Sequence, residues 1–399
     1  MGEAALREKS VDIAIAGGGV IGSAVAYFLA AEPGFQGKIA VLEPDPSYQF
    51  GSTGRSLGSI RQQFSTPENI RMSLFSAAFF SQGMDLLAVE GETPEIGFRE
   101  NGYLFLADAR GLPTLQANHR LQISEGADNV LLDPSQLKER FAWLDTAGLQ
   151  GGCLGLSMEG WLDPHGLLQA FRRKARALGV TYIDEAVSGV KMTNGHVTAL
   201  RLSSGREIAC DWLVNAAGAA AAKVADMIGV ELPVRPRKRS VFGFDCRAAL
   251  PPIPLVIDTS GVYLRPEGRG YLCGVSPRAG EPDPDSLDFA VDHALFEERV
   301  WPALARRIPA FEAIKPAGAW AGHYAYNTFD QNAILGPHPE IPNFVFANGF
   351  SGHGLQQSPA VGRAIMEVIV HGGYRTLDLS RFGFGRIAAG ERVVEASVV

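Results

Sequence analysis

Gly17, Gly19 and Gly22 lie in VDIAIAGGGVIGSAVAYFLA (Val11–Ala30), whose first six residues read as a buried strand and last nine as a helix. Their spacing is G-x-G-x-x-G. In such a turn the first glycine permits the tight bend, the second lets backbone approach a pyrophosphate, and the third lets helix pack closely on strand. The helix start, Val20 and Ile21, then offers unpaired N–H groups and a positive dipole end to phosphate oxygens. Glu43 closes the next strand, GKIAVLE (Gly37–Glu43), 21 residues after Gly22. A carboxylate there accepts from the adenosine ribose and repels a 2′-phosphate, so NADP is disfavoured while NAD and FAD stay open. A glycine-rich crossover without a ligand is the plain alternative.

A second unit of the same kind lies more than 300 residues later, in IPNFVFANGFSGHGLQQSPAVGRAIMEVIVHGG (Ile341–Gly373). Phe344–Ala347 reads as a strand, and Gly349, Gly352 and Gly354 as a turn. Val361, Ala364, Ile365, Val368 and Ile369 form one face of a helix that stops before Gly372. A helix starting near Gly354 aims its dipole at whatever lies above it, which suits a cofactor that gains negative charge on reduction.

AIAGGGVIGSAVAYFLA, GSTGRSLGSIRQQF, VNAAGAAAAKVA and NGFSGHGLQQSPAVGRAI, in this order, resemble the D-amino-acid oxidase/sarcosine oxidase superfamily of FAD enzymes. STPENIRMSLFSAAF, EGWLDP, PVRPRKRSVF and AWAGHYAYNTFDQNAILGPHP resemble a narrower group within it. That group includes a mitochondrial FAD-dependent oxidoreductase domain protein linked to assembly of respiratory complex I, and bacterial sarcosine-oxidase-like relatives. The likeness runs from Val11 to about Arg386. It implies an α/β fold: a Rossmann-like FAD-binding domain of the glutathione-reductase type, interleaved with a mixed β-sheet substrate domain. Residues 10–75, 145–232 and 317–390 are assigned to the first, and 76–144 and 233–316 to the second.

The resemblance also implies roles. The loop Gly51–Phe64 wraps pyrophosphate and flavin, with Ser52, Thr53, Arg55, Ser56 and Leu57 contributing, and Gly58 allowing close approach. Val187 falls where backbone meets adenine, and Ala217 and Gly218 where a small turn passes the ADP part. Gly352, His353, Gly354, Leu355 and Gln356 fall at the flavin. Arg61 matches the arginine that sarcosine oxidase presents to the substrate carboxylate, and a guanidinium fork suits that task; a protein acid such as Glu68 is its alternative partner.

Two departures stand out. The partner lysine of sarcosine oxidase is Gln356 here, and the arginine of the WAGxRP motif in related oxidases is Tyr324. His323 falls where sarcosine oxidase attaches FAD through a cysteine, and Arg55 near the histidine that anchors FAD in the dimethylglycine dehydrogenase branch, so non-covalent FAD is expected. His323, Tyr324, Tyr326 and Tyr263 are the candidates to hold or deprotonate an amine. His353 reads as a structural hydrogen-bonder. The expected reaction is hydride transfer from an amino acid or secondary amine to flavin N5, giving an imine that hydrolyses. Oxygen or another electron acceptor then reoxidises the flavin; no clear match to the oxygen-activating lysine of sarcosine oxidase leans towards another acceptor. A flavoprotein acting in assembly of a respiratory complex is the competing reading.

The elements that must position these residues come from an ordinary globular composition: 399 residues, 46% hydrophobic and 20% charged, enough for two domains. The net charge of -7 argues against a nucleic-acid partner. RPRKR (Arg235–Arg239) reads as a solvated or locally paired run, and EPDPDSLD (Glu281–Asp288) as a solvated loop. Cys153, Cys210, Cys246 and Cys273 show no metal or disulfide pattern. With no secretory signal and no apolar run long enough to span a membrane, the expectation is a cytoplasmic enzyme without a metal, its self-association left open. Asp133 and Asp163, each followed by proline, read as helix N-caps, and Asn194-Gly195 as a hairpin turn.

Overall fold

A computed structural model describes residues 10–278 and 280–395. The strand β1 (Ser10–Ala16), the helix α1 (Val20–Ala31) and the strand β2 (Ile39–Leu42) form the first crossover of a sheet, with β1 and β2 parallel. Glu207–Asn215 pairs with the other side of β1, and Phe344–Asn348 pairs beyond it, both parallel. Residues from the start, middle and end of the chain therefore stand side by side. β2 and Phe344–Asn348 are buried throughout and β1 nearly so, as parallel strands covered by helices should be, whereas Glu207–Asn215 alternates until its buried end Leu213–Asn215. An antiparallel hairpin extends this sheet, turning at Asn194 and Gly195, both with positive φ.

The helix Gly354–His371 packs on α1. Gly362 permits this: a Cβ there would come within 2.9 Å of the Ala24 backbone oxygen. Its apolar face is the expected one, and it ends on Gly372 in the left-handed conformation.

The second sheet also has eight strands, including the long antiparallel pair Val234–Cys246 and Ile314–Asn327. Its other strands include Tyr103–Ala107 and Gly151–Gly155, the latter drawn from within the segment 145–232. Asp133 and Asp163 both cap helices, Asp133 in a full capping box with Gln136.

α2 (Pro67–Gln82) begins just after the loop that carries Arg61. Its first turn is tied to the far end of the chain. The buried Glu395 carboxylate accepts from Ser65 N at 2.8 Å, Thr66 Oγ1 at 3.1 Å and Asn69 Nδ2 at 3.0 Å. A carboxylate at a helix N-terminus meets both the orphan donors and the dipole. Among the described residues, no helix is long and apolar enough to cross a membrane.

Candidate active site

A cavity of about 620 Å³ is bounded by both glycine turns and by the second sheet. Gly17, Gly19, Val20, Ile21 and Glu43 line it, with Val187, Ala217 and Gly218. So do Ser52, Thr53, Arg55, Ser56 and Leu57, and the run Gly352–Gln356.

The residues present fit a dinucleotide. At Gly17, φ is +101° and a Cβ would lie 2.4 Å from the Ala216 carbonyl oxygen, so the turn excludes any side chain. A Cβ on Gly19 would meet only Thr53 Oγ1, at 3.4 Å, and would otherwise stand in the cavity. α1 has no acidic residue in its first turn, leaving its positive end to a ligand. Glu43 accepts from Gly18 N at 2.8 Å and Asp45 N at 3.0 Å, which fixes the carboxylate at the end of β2. Burial raises its pKa, and the two backbone donors oppose that shift.

Gly22 and Gly58 are buried and do not line the cavity; they act in packing. A Cβ on Gly22 would sit 1.9 Å from Gly17 O, and one on Gly58 2.2 Å from Leu162 O.

Arg61 lies at the cavity wall, 2% exposed. Its backbone N–H donates to Gln356 Oε1 at 2.9 Å, so the Gln356 amide is oriented with its NH₂ left for other partners. Arg61 Nη1 donates to Gln63 O at 2.6 Å and Nη2 to His353 Nε2 at 3.2 Å, with the guanidinium 4.0 Å from the Phe64 ring centroid. Glu68 instead pairs with Arg381, at 3.3 Å. Since His353 Nε2 accepts from a cation, the ring is neutral there, and burial together with Arg61 holds its pKa well below the ordinary value. His353 is thus a support for Arg61.

Behind this arginine lies a residue that opens the EGWLDP motif but was given no role from the sequence. Glu159, 1% exposed, accepts from Gln62 N and, at 2.8 Å, from Gln63 Nε2. Burial pushes its pKa up to about 7.

Tyr263 and Tyr324 line the cavity, joined by Tyr103, another residue missed from the sequence. Burial raises all three phenols, so they serve as protonated donors or as acceptors. Tyr324 packs its ring over Gly352, where a Cβ would come within 2.6 Å of it. His323 also lines the cavity, but its Nε2 donates to Asp288 O at 2.9 Å, leaving Nδ1 as an acceptor. Burial lowers its pKa, which favours the neutral ring. Tyr326 is not brought to this wall: it stands further along the strand, its ring 6.0 Å from the Arg237 guanidinium.

The two charged runs pair with each other. Arg237, Lys238 and Arg239 bind Asp285, Asp288 and Asp283 respectively, at 2.6, 2.6 and 2.8 Å. The loop Glu281–Asp288 stays largely exposed, as expected, and lies back along the strand through these ion pairs. Leu287 and the adjoining Phe289 close part of the cavity, and Phe289 packs on His323 and Arg55.

Two glycine turns feeding one cavity, one built for a pyrophosphate and the other facing a second sheet of aromatic and cationic residues, define a flavin-dinucleotide oxidoreductase. Residues 12–368 match the family model DAO, FAD dependent oxidoreductase, and the chain belongs to that family. It is 43% identical to FAD-dependent oxidoreductase domain-containing protein 1 of Xenopus laevis, over 99% of this chain and 86% of that protein. It is 24% identical to monomeric sarcosine oxidase of a Bacillus species, over 96% of this chain and 99% of that one. Among solved structures, L-proline dehydrogenase from P. horikoshii superposes with a TM-score of 0.85 at 27% identity, over 97% of this chain and 100% of that one. The family is FAD-dependent, and the cofactor of this chain is FAD.

Proposed function

We propose that this oxidoreductase oxidises the C–N bond of an amino acid or secondary amine, of the N-substituted, sarcosine-like kind. The observation that carries the reading is Arg61, a buried guanidinium at the cavity wall whose backbone is fixed to Gln356 at the start of the Gly354–His371 helix. Such a fork binds a carboxylate with charge-assisted hydrogen bonds. The names of two relatives support the amine: sarcosine and proline are both secondary amino acids.

When bound, FAD supplies the acceptor for the substrate's α-hydrogen as hydride, and the imine product hydrolyses in water. The chain's residues orient and desolvate. Arg61 and the Gln356 amide hold the carboxylate, while Tyr324, Tyr263 and Tyr103 wall the amine. The neutral His323, through Nδ1, accepts a proton so that the amine lone pair is free as the C–H bond breaks. Attachment of FAD is non-covalent, a reading supported by the absence of any cysteine from the cavity lining.

The test is anaerobic bleaching of the flavin across a panel of amines and amino acids, followed by admission of air. Bleaching by N-substituted amino acids and not by their decarboxylated analogues is expected. A flavin that no amine bleaches would favour the alternative, a flavoprotein acting in assembly of a respiratory complex. Rapid recolouring in air would make oxygen the acceptor.

A further inference from the structure

Arg239 has no part in the scheme above, yet it lines the same cavity as Arg61 and is only 7% exposed. Its guanidinium carbon lies 5.3 Å from the Tyr324 ring centroid, and the Tyr324 phenol feels the charge of both arginines. Tyr324 therefore shares the cavity with two buried cations. Nη1 and Nη2 of Arg239 each donate to Asp283 at 2.8 Å, and Nη1 also to Lys238 O at 2.8 Å, but Nε is buried without a hydrogen-bond partner. A buried, orphaned donor is costly, and so is desolvating an ion pair where an uncharged side chain would serve.

The two partners are held unequally. Arg239 projects from the long strand Val234–Cys246 and is enclosed by it. Asp283 belongs to the loop Glu281–Asp288, flanked by Pro282 and Pro284, and its side chain is 24% exposed. Asp283 also lies 3.8 Å from Arg237 Nε and is partly exposed, so on leaving Arg239 it keeps a cationic partner and water, whereas the buried guanidinium would keep no anion. If Asp283 leaves with nothing in its place, a buried guanidinium is stranded, so the exchange is favourable only for an incoming anion. We propose that Arg239 receives a second carboxylate of the substrate in exchange for Asp283. The substrate class is an N-(carboxyalkyl) amino acid, with one carboxylate on Arg61, the other on Arg239 and the amine between them beside Tyr324. This rests on the amine-oxidation reading and sharpens it.

The test uses the flavin-loaded protein and two thioethers that cannot be oxidised at a C–N bond: thiodiacetate and (methylthio)acetate. Each is titrated while the visible flavin spectrum is followed. Thiodiacetate should bind about tenfold more tightly, the net of a charge-assisted contact and the displaced Asp283. Asp283→Asn should widen that ratio, Arg239→Gln should bring it close to one, and Arg239→Lys should restore part of it. A wild-type ratio of one or less, or a ratio that Arg239→Gln leaves unchanged, overturns the proposal. If Arg239→Gln does not fold, Asp283→Asn decides, and an unaltered ratio there is equally fatal. Should (methylthio)acetate bind through Arg61 with no preference for the dicarboxylate, only the second-carboxylate claim falls. If neither thioether perturbs the flavin and no amine bleaches it, the amine reading falls too.

Discussion

In the turn Gly17–Gly22 the glycines make room for backbone: a Cβ at either end would strike a main-chain oxygen, at 2.4 Å from Ala216 O or 1.9 Å from Gly17 O. In the turn Gly349–Gly354 the crowding at Gly352 comes from a side chain, the ring of Tyr324 at 2.6 Å. That second turn is tied to the strand Ile314–Asn327. Ser351, itself at φ +50°, accepts from Asn327 N at 3.0 Å through its hydroxyl and donates its N–H to Ala325 O. One turn is shaped to admit a cofactor's phosphates. The other is shaped to set a cavity-facing tyrosine on the far sheet. Damage to the first should therefore cost flavin, and damage to the second should cost rate.

The largest effect is expected from Gly19→Val, whose β-branched side chain would stand in the space a pyrophosphate needs. Acid precipitation should release FAD from the wild type into the supernatant and almost none from the variant. A folded Gly19→Val protein with a full complement of flavin would remove the first turn from the phosphate site.

Next comes Arg61→Ala. Loss of a bidentate contact worth about 3 kcal/mol corresponds to roughly a hundredfold rise in KM for a carboxylated amine, with Arg61→Lys recovering only part. Because the guanidinium also bonds Gln63 O and His353, a lowered Tm should accompany the kinetic loss. Decarboxylated amines should be nearly indifferent to the change. If they suffer equally, Arg61 is a structural residue.

Gly352→Ala sharpens the comparison directly. A methyl group there meets the Tyr324 ring and forces φ +98° on a residue that disfavours it. A small displacement of this cavity-facing tyrosine should lower kcat about tenfold while flavin content stays near that of the wild type. Flavin loss matching that of Gly19→Val would abolish the distinction between the turns.

The smallest effect concerns the support behind Arg61. Burial raises Glu159 from the ordinary 4.5 to about 7, so the folded protein binds its proton more tightly than the unfolded chain does. This contribution is fully present below about pH 4.5 and is lost as pH rises to about 7. Glu159→Gln should flatten that part of the Tm–pH profile. A slope unchanged by the substitution would place the titration elsewhere.

The cofactor side was legible because its signals are local: Gly17, Gly19, Gly22 and Glu43 belong to one βαβ unit, and their spacing carries the geometry. Arg61 and Gln356 came from resemblance, since nothing short-range links positions 295 residues apart. For Arg239 and Asp283 the missing piece was the partner: RPRKR reads as solvated or locally paired and EPDPDSLD as solvated, but neither run names the other. Each half, in RPRKR or in EPDPDSLD, has the composition of a solvated surface, and only their mutual neutralisation lets the arginine be buried. Tyr103 and Glu159 look in the sequence like an ordinary core aromatic and an ordinary surface acid. Strand pairing between Tyr103–Ala107 and Gly151–Gly155 draws both towards Arg61.

Placing Phe344–Asn348 beside Glu207–Asn215, and that beside β1, has a kinetic consequence. During synthesis the first crossover emerges and must wait while more than 300 further residues are made before its packing helix, Gly354–His371, arrives. At ordinary elongation rates that delay is on the order of tens of seconds, far longer than local helix formation. Throughout it, the apolar face of α1 that later meets Gly362 is uncovered. Nascent chains of this protein should therefore depend on chaperones, and the ability to take up FAD should arise late, in one cooperative step.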